Sequence, residues 1–230
     1  MLLLKKIRQV AKKLRLEPIR VFCLHHVCNK YNEDFMWSCD WISMQEFKMR
    51  IEYLKANGYK FISLTEAYQH LKNEKIRKKK YAVVTFDDGN RSILEILPWL
   101  ESQCIPTTLF INGKYLDGVE YRDSPKEEYL TYDELFSLTS NLIEIGHHGW
   151  EHISVFKMSN EEFEKSIEQN MNILSTHPRY IPFWAYTYGH YTEISNLSLI
   201  KMNIIPVVMD EKSNFSIDCY ISRESILKNR

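Results

Sequence analysis

From residue 19 onward, short apolar runs alternate with helix-start signals, and this rhythm limits the folds open to the chain. Ser43-Met-Gln-Glu46, Thr131-Tyr-Asp-Glu134 and Ser159-Asn-Glu-Glu162 each pair an N-cap hydroxyl with an acid three residues on. Such a box satisfies backbone N–H groups that the start of a helix leaves open. The first should open a helix with Phe47, Ile51 and Leu54 on one face and a stop at Gly58. The third should open one with Phe163, Ile167, Met171 and Leu174 as its buried stripe. Further helices are expected at 65–71, 93–102 (with Pro98 a kink) and 192–202, and strands at 19–24, 61–64, 81–86, 107–111, 142–145, 181–186 and 204–209. That is about seven βα units with no linker and no internal repeat. Regular alternation implies a parallel sheet, closed as a barrel or open and doubly wound. An open sheet around a nucleotide would call for a phosphate-binding glycine loop, and the sequence has none.

The strand expected at 81–86 runs straight into Asp87-Asp88-Gly89. Two adjacent carboxylates thus sit at the C-terminal end of a buried strand, with a glycine to turn the chain. Past the strand expected at 142–145, His148 and His152 stand four apart. A carboxylate and two imidazoles are the ligand set of a catalytic divalent ion, zinc first, with cobalt and nickel also suited. The other carboxylate is left for acid–base work, and the combination points to metal-assisted hydrolysis. In a parallel barrel the C-terminal ends of the strands share one face, which would bring these residues together with His25 and the segment after 181–186.

The sequence resembles the polysaccharide deacetylases of carbohydrate esterase family 4, the NodB-homology domain. Thr85-Phe-Asp-Asp-Gly89 matches that family's first motif, His148-Gly-Trp-Glu-His152 its second, and Trp184-Ala-Tyr-Thr-Tyr-Gly189 a variant of its third. The N-terminal run Phe22-Cys-Leu-His25-His26-Val27 is similar to the Tyr-His-x-Val motif of the poly-N-acetylglucosamine deacetylases of biofilm polysaccharides. The resemblance implies a distorted (β/α)7 barrel, circularly permuted relative to most of the family, spanning 19–230, and removal of acetyl groups from N-acetylated sugars. It assigns Asp88, His148 and His152 to one divalent metal and Asp87 to the general base. It makes His25 the general acid, since no histidine follows His190 where most of the family has one. Tyr188 would hold the oxyanion through its backbone N–H, with Tyr186 and Trp184 as substrate-binding aromatics. The chain departs from the pattern at Gly149, where serine or threonine is usual, at Thr187 in place of proline, and at Ala185 where an arginine would orient the base. Arg223 or Asp210 would take over that orienting role. Trp37, Trp41, Trp150, Trp184 and Tyr186 lie in or near the motif loops, each alone as suited to the core as to a sugar platform.

A net charge of zero gives no bias toward nucleic acid. Five cysteines without a CxxC pair fit a reduced compartment, with Cys23 as packing. Residues 1–20 carry seven Lys/Arg against one Glu, with Leu3, Ile7, Val10 and Leu14 on one helical face. A basic amphipathic helix over 1–18 is expected, either lying on an anionic membrane or packed on the domain. No signal peptide or membrane span is recognisable, so a cytoplasmic protein is expected, acting at the inner membrane surface on a glycan or lipid-linked precursor. The competing readings are an O-acetyl esterase, a C–N hydrolase of small non-sugar amides, and an inactive carbohydrate-binding protein.

Overall fold

The computed structural model describes residues 17–28, 41–73, 79–117, 129–217 and 219–226. The helix expected over 1–18 therefore lies almost wholly outside the described residues, as does Trp37. Among the described residues no helix is long and apolar enough to cross a membrane.

Eleven strands are described. Nine belong to one parallel sheet: β1 (Ile19–Leu24), β4 (Tyr59–Phe61), β5 (Lys80–Phe86), β6 (Thr107–Ile111), β7 (Ile143–His147), β8 (Tyr180–Ala185), β9 (Ile205–Val208), β10 (Ile221–Ser222) and β11 (Glu224–Ser225). Their order is β10-β9-β8-β7-β6-β5-β1-β11, with β4 beside the first half of β5. β10 and β11 are two halves of one pass, split at Arg223. The first half pairs with β9 and the second with β1, so this short segment brings the sheet round into a nearly closed barrel. The N-terminal strand β1 thereby sits between the carboxylate strand β5 and the closing pass. Arg20 on β1 reinforces the closure with a bidentate bond to Glu224, at 2.7 and 2.8 Å. Two short strands, β2 (His26–Cys28) and β3 (Trp41–Ser43), pair with each other beyond β1.

Strand side chains alternate between two buried faces, as a barrel sheathed by helices requires. Val21, Val83, Phe110, Phe183 and Val207 fill the barrel interior. Phe22, Leu24, Val84, Phe86, Leu109 and Ile145 point outward into a second core with Phe47, Ile51 and Leu54 of helix α1 (Met44–Ala56) and Ile96 and Leu100 of α3 (Ile93–Ser102). Each such side chain stabilises the fold by roughly 1.5–3 kcal/mol through burial. Phe163 and Ile167 of α5 (Asn160–Leu174) and Leu199 of α6 (Glu193–Lys201) close over β8 and β9 with Trp184 and Tyr186.

Helix α2 (Leu64–Lys72) does something different. Its Leu64, Ala67 and Leu71 pack with the interior cluster, so it plugs the barrel end at which the strands begin. Glu144 of β7, buried inside that end, accepts bonds from the backbone N–H of Leu64 (2.9 Å) and Thr65 (3.3 Å) and from the Thr108 hydroxyl (3.1 Å). A carboxylate at a helix N-terminus satisfies the open N–H groups and complements the helix dipole.

The expected capping boxes form at Thr131, opening α4 (Tyr132–Ser137), and at Ser159. At the first site Ser43 accepts from the Glu46 N–H, but the Glu46 carboxylate turns to Arg50 instead. The strand expected at 61–64 ends at Phe61, because Ser63 caps α2.

Candidate active site

The C-terminal ends of β1, β5, β7 and β8 meet at the open end of the barrel. Asp88 follows β5 in a left-handed turn, with φ of +69°. That conformation costs a non-glycine residue on the order of 1–3 kcal/mol and persists only where the surroundings impose it. The turn carries the Asp88 carboxylate toward the histidines: Oδ1 stands 3.1 Å from Nε2 of His148 and 3.1 Å from Nε2 of His152. His148 Nδ1 donates to the Ala185 carbonyl at 3.0 Å. A carbonyl only accepts, so Nδ1 carries a ring proton and Nε2 is the nitrogen turned to Asp88. Asp88 Oδ1 and His148 Nε2 are buried and make no hydrogen bond among the described residues. A carboxylate oxygen and two imidazole nitrogens converging in this way is an arrangement a divalent cation satisfies, and the residues present fit one.

The backbone of the histidine loop is held from two sides. The Asn112 amide donates to the carbonyls of His148 (2.8 Å) and Gly149 (3.2 Å), and the Thr187 hydroxyl donates to His148 O (2.9 Å). Thr187 thus uses the hydroxyl that a proline would lack. Gly149 has φ of +94°, a region that favours glycine, which accounts for the departure from serine or threonine there. Neither Asn112 nor Thr187 was foreseen as a positioning residue. Asn112 directly follows β6, and its place at a strand end was the available signal.

Asp87 points into the barrel and is fully buried. Arg223 meets it with both terminal nitrogens, Nη1 to Oδ1 at 2.5 Å and Nη2 to Oδ2 at 2.7 Å. Burial alone would raise the Asp87 pKa, but the guanidinium outweighs it and holds the carboxyl at about 2, so Asp87 stays ionised. Thr85 accepts a further bond from Arg223, and the Cys23 thiol lies 3.5 Å from Asp87 Oδ2. Beneath them the Phe110 ring lies 5.3 Å from the guanidinium. That ring fits because residue 146 is glycine: a Cβ there would come within 2.7 Å of it.

His25 stands at the junction of β1 and β2, and its ring nitrogen lies within 4.8 Å of ligand atoms of Asp87 and Cys23. His26 is buried in β2. The structure thus brings Asp87, Asp88, His25, His148, His152 and Arg223 to one mouth. Tyr188 joins them in a left-handed turn at φ +58°, exposed, with its ring edge-on to His152 at 4.7 Å.

Three expected residues lie elsewhere. Trp184 is buried, stacked on His147 and edge-on to Phe163. Tyr186 is buried too, its hydroxyl within hydrogen-bond distance of Asn196 Oδ1 (2.9 Å) and Ser195 Oγ (3.1 Å) of α6. Both are core side chains with no ring face left for a substrate. Asp210 bonds Ser222, Tyr220 and Lys212, so it steadies the segment bearing Arg223 and does not orient Asp87. His147, next to His148, is buried; desolvation pushes its pKa down to about 3 and keeps it neutral.

Several solved structures share this architecture. IcaB from Ammonifex degensii has a TM-score of 0.79 and 22% identity, with 91% of each chain covered. The Streptococcus pyogenes deacetylase PplD in complex with acetate has a TM-score of 0.77 and 18% identity, covering 92% of this chain and 93% of that one. The de-N-acetylase from Aggregatibacter actinomycetemcomitans has a TM-score of 0.74 and 17% identity, covering 93% and 97%. No protein of curated function matches by sequence. Residues 74–206, more than half of the chain and including Asp87, Asp88, His148 and His152, match the polysaccharide deacetylase family model, and the chain belongs to that family.

Proposed function

We propose that the protein is a metal-dependent hydrolase that removes N-acetyl groups from an N-acetylhexosamine unit of a glycan or glycan precursor. The observation that carries this reading is the pairing of two carboxylates with separate partners. Asp88 converges with His148 and His152 on a cation-sized gap, while Asp87 is withdrawn onto Arg223. A bound divalent ion, zinc by this ligand set, would polarise the acetyl carbonyl and lower the pKa of water.

The chain's own residues do the rest. Asp87, fixed by Arg223, takes the proton of the attacking water. It is a weak base, but it is always ionised and cannot rotate away. The Tyr188 backbone N–H helps to hold the developing oxyanion. As the C–N bond breaks, His25 delivers a proton to the departing amine nitrogen, and acetate leaves. The placement of β1 beside β5 supports this role, because it sets an N-terminal histidine next to the base. It also supports a permuted strand order, in which the first strand supplies what other members take from the last.

Acetate and free amine are to be measured together on N-acetylglucosamine oligomers, with and without chelator. Equal release of both, lost on chelation and restored by zinc, is expected. Acetate without amine would make the protein an O-esterase. His148→Ala should lose metal and activity together. His25→Ala should keep the metal and slow amides more than activated esters, whose leaving groups need little protonation.

A further inference from the structure

Amide hydrolysis as proposed above has no use for a thiol, yet Cys23 faces the base. Residues two apart on a strand point to the same side. On β1, Phe22 and Leu24 point outward, so Cys23 shares the interior face with Val21, and His25 follows two residues on. The neighbouring strand β5 runs parallel in a register that sets Cys23 opposite Thr85 and Leu24 opposite Phe86. The Asp87 N–H donates to the Leu24 carbonyl at 2.9 Å, which carries that register one step further and puts Asp87 beside His25. A thiol, an imidazole and a carboxylate thus come together, with their ligand atoms all within 4.8 Å of one another. Cys23 Sγ lies 3.5 Å from Asp87 Oδ2, and both residues are buried. Ligand atoms around a tetrahedral zinc stand about 3.3–3.8 Å apart, given bonds of about 2.0–2.3 Å. Side-chain shifts of about an ångström would close this set on an ion.

We propose that Cys23, His25 and Asp87 form a second, weaker divalent-metal site, and that an ion held there shuts the reaction off. The sulfur sets the choice of ion: thiolate favours zinc or cobalt over magnesium or calcium. The incoming ion displaces the thiol proton to solvent, and the sulfur–metal bond that forms leaves one more negative charge beside it. Arg223 takes one lone pair on each Asp87 oxygen. A carboxylate oxygen has two, so Oδ2 keeps one for a metal. The guanidinium charge opposes the ion, which makes this the weaker of the two sites. The sites share no ligand: His148 Nδ1, 3.9 Å from Asp87 Oδ2, is engaged by the Ala185 carbonyl. The inhibition, though not the site, rests on the proposed hydrolase reading. An ion here occupies the base Asp87 and the acid His25 together, so zinc needed for turnover in small amount stops it in excess.

The test adds cobalt(II) to full-length protein already holding one equivalent of it, followed by absorption. Asp88, His148 and His152 contain no sulfur, so the first equivalent should give no thiolate-to-cobalt charge-transfer band. The second equivalent should give one in the near ultraviolet, and Cys23→Ser should lack it while binding the first equivalent as the parent does. In turnover assays on the zinc-loaded protein, excess zinc should lower acetate release by the parent. Cys23→Ser, with basal turnover near the parent's, should need at least about tenfold more zinc for the same inhibition, since even a lost outer-shell partner costs a metal site that much. Cys23→Ala serves in its place if the serine variant does not fold. A second equivalent that raises no band would overturn the site, as would a band that survives both substitutions. Equal zinc sensitivity in parent and variant would overturn the inhibition. Because the band is read without turnover, a protein that shows it yet releases no acetate at any zinc level would keep the second site and refute the hydrolase.

Discussion

Two buried carboxylates stand at opposite ends of the same barrel. Glu144 at the plugged end is satisfied by neutral donors, two backbone N–H groups of α2 and the Thr108 hydroxyl. Asp87 at the open end is satisfied by a cation, and its neighbourhood is left incomplete. Asp88 Oδ1 and His148 Nε2 have no hydrogen bond among the described residues, and Asp88 and Tyr188 hold strained turns. Polar groups complete at one end and unspent at the other separate stability from chemistry. The same division between the two faces is general in parallel barrels.

The sharpest break of that comparison is Asp87→Asn. It keeps the size of the side chain and one acceptor for Arg223 but loses the charge and the second acceptor, so turnover should fall by roughly 10²–10⁴ with the metal retained. Metal loss in that variant would make Asp87 a ligand and erase the distinction between the paired acids. Next is Arg223→Met, which strands a buried carboxylate; about 3–5 kcal/mol of stability should disappear in denaturant titration. A loss below 1 kcal/mol would mean that water reaches Asp87. At the other end, Glu144→Gln should cost about 1–3 kcal/mol while activity per folded molecule stays at the parent level. Lost turnover there would show that the plug supports the chemistry after all.

The smallest effect is electrostatic. The Asp87 pKa is lowered from 3.8 to about 2, so its ionised form stabilises the fold above the ordinary value, and this is lost as pH falls through about 4 toward 2. On the order of 2 kcal/mol is at stake. The stability difference between the parent and Asp87→Asn should therefore shrink across that window, measured on metal-free protein. A pH-independent difference would deny the Arg223 clamp its electrostatic character.

Much of the mouth was legible because its chemistry is written in local patterns. An apolar strand running into Asp87-Asp88-Gly89 and a His-x-x-x-His loop need no tertiary information to be recognised. The capping hydroxyls of Thr131 and Ser159 were likewise local. Trp184 and Tyr186 stood open between core and sugar platform for a physical reason: both faces of a barrel strand are buried, so alternation along 180–186 cannot say which rings reach solvent. The plug by α2 was hidden because Leu64, Ala67 and Leu71 make an ordinary amphipathic stripe whatever that stripe covers. Arg223 stood in view only as one of two candidates, since nothing near residue 223 reveals a partner 136 positions earlier.

That separation has a consequence for how the molecule comes into being. A ribosome delivers Asp87, Asp88, His148 and His152 well before the pass at 221–225. Until that pass emerges, β1 lacks one neighbour, Arg20 lacks Glu224, and the acid at 87 has no counter-ion to hold it charged in the interior. Non-local pairings of this kind form late and slowly. The open end of the barrel is therefore among the last parts of the chain to mature, and a nascent chain stopped short of residue 223 would carry Asp88, His148 and His152 with Asp87 still lacking its Arg223 clamp.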